Sequence, residues 1–122
     1  MKEGTITEEN IKKLVDTFYS KVREDTSLSP IFEQAIGEDI AIWQPHLQKM
    51  YDFWSSIMLS SDRYRGNPLR KHRDLPPFDK VLFDRWLVLF SQTANELYTV
   101  DIASLFISKS ENIARSLKLG IY

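Results

Sequence analysis

Apolar side chains early in the chain recur at Ile11, Leu14, Val15, Phe18, Tyr19 and Val22. Steps of three and four residues place all of them on one stripe of an α-helix. Thr5 and Thr7 stand ahead of it as candidate caps, and Glu8 and Glu9 suit the positive end of its dipole. Ser29-Pro30 then opens a short helix that runs to about residue 35, ahead of Gly37. A third helix is expected from about Gln44-Pro45, with His46, Met50, Phe53, Trp54, Ile57 and Met58 on one face. The next stretch, SSDRYRGNPLRKHRDLPP (60–77), holds three prolines and many polar residues, so it reads as a loop. A fourth helix is expected from Pro77 or Phe78 to about Tyr98, its inner face carrying Val81 or Leu82, Phe83, Trp86, Leu89, Phe90, Thr93 and Leu97. The last, from about Asp101 to Lys118, ends in a basic turn before Gly120. No strand pattern or repeat competes. The expectation is one all-α domain over residues 1–122 with a single long irregular insert, and such inserts are usually functional.

Composition narrows the chemistry. With 122 residues and 43% hydrophobic content the chain supports one real core. A formal net charge of −1 draws it neither to nucleic acid nor to an acidic membrane. It contains no cysteine, which excludes disulfides, thiolate metal sites and a cysteine nucleophile. The polar start lacks a signal-peptide core, and no apolar run reaches the roughly 20 residues that span a bilayer. A soluble, cytoplasmic monomer is expected. Aromatic residues make up 12%, and most lie inside the periodic segments.

Three of those apolar stripes carry a hydrogen-bonding side chain where only hydrocarbon is needed. Tyr19, His46 and Trp86 lie on inner faces of different helices, and each needs a partner when buried. One alone would mean little, because a core tyrosine or tryptophan commonly finds a backbone carbonyl. Three of them, with His72 framed between GNP and PP in the loop, fit a polar object inside an apolar cavity. Zinc wants three or four protein ligands, and two histidines without cysteine supply that poorly. A di-iron bundle wants Glu-x-x-His pairs, and neither histidine has a glutamate three residues before it. Porphyrin iron needs one axial imidazole and an aromatic-rich slot, so haem fits the histidine count best.

The order of motifs is specific. FY at 18–19, PIF at 30–32, WQPHLQKMYDFW at 43–54, YRGNPLRKH at 64–72 and FDRWLVLF at 83–90 together resemble a truncated haemoglobin of group III. The Gly-Gly turns typical of the other groups are missing, which agrees with that subgroup. The resemblance implies a shortened globin, two helices over two around a non-covalent b-type haem. It implies that His72 is the proximal iron ligand and that Tyr19, His46 and Trp86 form the distal side, His46 as donor or as gate. Phe32, Met50, Phe53 and Trp54 match the apolar haem lining, whereas Phe18 and Phe83 read equally well as ordinary core. Among the basic loop residues, Arg63, Arg65, Arg70, Lys71 and Arg73 are candidates for the haem propionates, or else a solvated face.

The function so implied is reversible binding of oxygen, with nitric oxide, carbon monoxide or cyanide as further ligands. A hydrogen bond to a charged acceptor contributes about 1.5–3 kcal/mol, so two donors would slow release by orders of magnitude. Slow release suits a sensor, scavenger or redox catalyst. Peroxidase-like or nitric oxide dioxygenase chemistry would need an outside electron donor. The competing class is a cofactor-free helical interaction module that grips an acidic partner or nucleic acid through the basic loop, residues 62–74.

Overall fold

The computed structural model describes residues 2–35, 37, 40–64 and 81–121. Among them five helices follow one another: α1 (Glu8–Glu24), α2 (Ser29–Ala35), α3 (Ile40–Leu59), α4 (Leu82–Leu97) and α5 (Val100–Ile121). The architecture is all-α. α1 packs on both α3 and α4, α5 lies along α4, and α2 leans on α1, which gives a two-over-two sandwich. No described helix is long and apolar enough to cross a membrane.

Thr7, and not Thr5, caps α1. Its hydroxyl accepts from the Asn10 N–H at 3.1 Å, and Asn10 Oδ1 accepts from the Thr7 N–H at 2.9 Å. Asn10 does more than close this capping box. Its Nδ2 donates to the Thr5 carbonyl at 2.9 Å, and its Oδ1 also accepts from the Tyr98 hydroxyl at 2.8 Å. Tyr98 caps the end of α4, so one buried amide joins the start of α1 to the exit of α4. Glu3 strengthens that junction, bonding Leu97 and Thr99 through its backbone at 2.8 and 2.9 Å.

α3 begins earlier than the proline signal implies, with Pro45 inside it. Proline removes one ladder bond and crowds the preceding turn, at a cost of about 3 kcal/mol. Trp43 offsets that cost: it is 1% exposed, and its Nε1–H donates to the Gly37 carbonyl at 2.9 Å. Burying an aromatic of about 150–250 Å² contributes roughly 4–6 kcal/mol, so the helix continues through the proline. α3 stops at Ser60, whose φ of 58° is a left-handed conformation that ends a helix.

One other boundary differs from expectation. α5 runs past Gly120 to Ile121, since glycine near a helix end costs only about 1 kcal/mol against alanine. Of the two candidates for the first inner position of α4, Leu82 packs on the core and Val81 is 56% exposed. The expected start of α4 at Pro77 or Phe78 lies outside the described residues.

Candidate functional site

The α1 stripe places Phe18 and Tyr19 side by side in the core, 3% and 7% exposed. Tyr19 stands in a box of rings drawn from three helices. Its ring centroid lies 5.2 Å from His46 at 89°, 5.9 Å from Phe32 at 74° and 5.9 Å from Trp43 at 59°. Burial pushes the Tyr19 phenol above its ordinary pKa, so it remains an O–H donor. No hydrogen bond to that hydroxyl occurs among the described residues. His46 is half-buried on α3, with its Nε2 screened from solvent.

α4 supplies the other wall. Phe18 meets Trp86 edge-to-face at 5.5 Å and Phe90 at 5.3 Å, just as it meets Tyr19 at 5.0 Å. Trp86 stacks on Phe90 at 21°, and Phe90 stacks on Trp54 at 24°. Trp86 is half-buried and therefore lies at the margin of this column, while Trp54 is sunk in it. Phe18 is thus the shared neighbour of the two proposed donors on α1 and α4.

The remaining expected positions distribute unevenly. Phe32 stacks on Trp43 at 25°, and Met50 and Phe53 pack partly buried against the core. Trp54 also contacts Phe106 at 5.6 Å, deeper than a simple lining residue. Arg63 reaches the Glu8 carboxylate at 3.5 Å. His72, Arg65, Arg70, Lys71 and Arg73 lie outside the described residues. Trp43 is the residue that sequence reasoning missed. It touches His46 edge-to-face at 5.6 Å as well as Tyr19. Its three-residue spacing from His46 carried the signal, hidden by reading Pro45 as a helix start.

This donor set selects the kind of guest. A phenol O–H and an indole N–H offer protons to a lone pair, and neither is a ligand for a bare divalent cation at neutral pH. Among the described residues no group of three His, Cys, Asp or Glu side chains converges to hold an ion. Donors set in an aromatic wall fit a flat prosthetic group that carries a small, electron-rich ligand.

Comparison with known proteins agrees with this chemistry. Residues 5–110 match the model of a family described as bacterial-like globin. The chain is 39% identical to the group 3 truncated hemoglobin ctb of Campylobacter jejuni, over 100% of this chain and 96% of that protein. The crystal structure of a group III truncated hemoglobin from Campylobacter jejuni superposes with a TM-score of 0.97 at 39% identity, covering 100% of this chain and 96% of that one.

Proposed function

The chain belongs to the group III truncated haemoglobins of the bacterial-like globin family, and from that premise we propose that it binds a b-type haem and holds oxygen on a polar distal side. Globins bind diatomic gases through haem. Bound haem supplies an iron with one coordination position open to such a ligand. The observation that carries the reading is the Tyr19 hydroxyl, buried in an aromatic box beside His46, with Trp86 across Phe18.

The protein's own groups then divide the work. His72 would hold the iron through a neutral imidazole nitrogen. Tyr19 and Trp86 donate to the ligand, and the raised phenol pKa keeps the Tyr19 proton available throughout the neutral range. His46, against both Tyr19 and Trp43, either donates or screens the approach to them. Phe32, Met50 and Phe53 exclude water, which strengthens each donor by lowering the local dielectric. Arg63, Arg65 and Lys71 are proposed partners of the propionates. Nitric oxide, carbon monoxide and cyanide are further ligands of the same site.

Purified protein supplied with haem should show a strong absorption band at about 400 nm, and His72→Ala should lose it. A folded, colourless protein that binds nucleic acid in a salt-dependent way would instead favour the interaction module of residues 62–74. Turnover of peroxide with a one-electron donor, no faster than with free haem, would remove a peroxidase role.

A further inference from the structure

Tyr19 and Trp86 sit on different helices, so their joint action on one small ligand depends on how α1 and α4 are placed. Ring contacts through Phe18 are non-directional and permit sliding. A directional contact stands immediately beside Trp86. Arg85 donates from Nε at 2.9 Å and from Nη2 at 2.7 Å to Asp25 Oδ1. The other carboxylate oxygen, Oδ2, accepts from the Ser27 and Leu28 N–H groups at 3.1 and 2.9 Å. Asp25 is itself fixed at the end of α1, where its N–H donates to the Val22 carbonyl and its own carbonyl accepts from Ser29 N–H. Its side chain is only 7% exposed. The carboxylate therefore holds the turn between α1 and α2 with one oxygen and grips α4 with the other. The second α1–α4 ion pair, Lys21 to Glu96 at 2.8 Å, is a single contact with Glu96 58% exposed, the kind that contributes little.

We propose that Asp25 and Arg85 are positioning residues of the distal pocket: their contact sets where α4 lies along the end of α1, and so holds the Trp86 N–H and the Tyr19 O–H on a common ligand. This rests on the distal reading above. Arg85→Lys keeps the charge but loses the fixed fork, and Asp25→Asn keeps the shape and weakens the grip.

The test uses the full chain loaded with haem, measuring the oxygen release rate and, on the carbon monoxide adduct, the C–O stretching frequency that reports nearby donors. Four proteins suffice for the core cycle: wild type, Arg85→Lys, Trp86→Phe and the double variant, with Asp25→Asn as an independent cut of the same contact. Arg85→Lys and Asp25→Asn should each speed release several-fold and shift the C–O frequency, and Arg85→Lys should do neither in the Trp86→Phe background. Equal effects in both backgrounds would mean general loosening and would overturn the proposal, as would unchanged release and frequency in Arg85→Lys. If Trp86→Phe itself leaves release unchanged, the distal reading fails first and the positioning role falls with it.

Discussion

Tyr19 combines a buried ring with a hydroxyl that no described neighbour engages, and those two facts make opposite demands. The Tyr19 hydroxyl has no protein acceptor to lose among the described residues, so Tyr19→Phe should leave the haem-free protein within about 1 kcal/mol of wild type. The same substitution should speed oxygen release by about 10–100-fold, the loss of one charge-assisted hydrogen bond. Thermal unfolding and stopped-flow release measure the two arms. A release rate unchanged by Tyr19→Phe would remove Tyr19 from the ligand's surroundings. The polar identity of Tyr19, His46 and Trp86 was legible from the chain, because each interrupts an apolar stripe. Trp43 was not, because a helix start at Pro45 leaves it off the periodic face; only the fold brings the Gly37 carbonyl to its N–H.

Among the elements, α1 matched its periodicity closely and α4 ends where its pattern does, while α3 and α5 outran their local signals. Propensity speaks for a few residues at a time, and the burial of Trp43 outweighs Pro45 when the two are weighed together. The junction at Asn10 is similarly invisible in sequence, because its second partner, Tyr98, is 88 residues away. Asn10→Ala should cost about 2–4 kcal/mol, since it opens the cap and leaves the buried Tyr98 hydroxyl without its acceptor. In a Tyr98→Phe background the cost should shrink, and urea titration of the four proteins of that cycle checks it. Equal costs in the two backgrounds would leave the cap alone to explain the loss.

Over the whole molecule the net charge is −1, and the Asp25–Arg85 pair between helices couples folding to pH. Hydrogen bonding from Arg85 is the largest influence holding the Asp25 carboxyl below its ordinary value of 3.8. The unfolded chain then binds the proton more readily than the folded one, so this contribution is complete above about pH 4 and fades as pH falls through the folded value. Asp25→Asn should therefore lower the urea midpoint at pH 7 and have a smaller effect well below pH 4. A loss of equal size at both pH values would contradict the ion-pair account. The five described helices, their inner faces and the family followed from the sequence by itself, because helical periodicity and residue chemistry are local properties written in order along the chain. Only the tertiary structure decided that α3 continues through Pro45, that Trp43 joins the box around Tyr19, and that Asp25 grips the neighbour of Trp86. Those outcomes depend on which distant groups arrive together, and their energies arise only once water has been excluded between the helices.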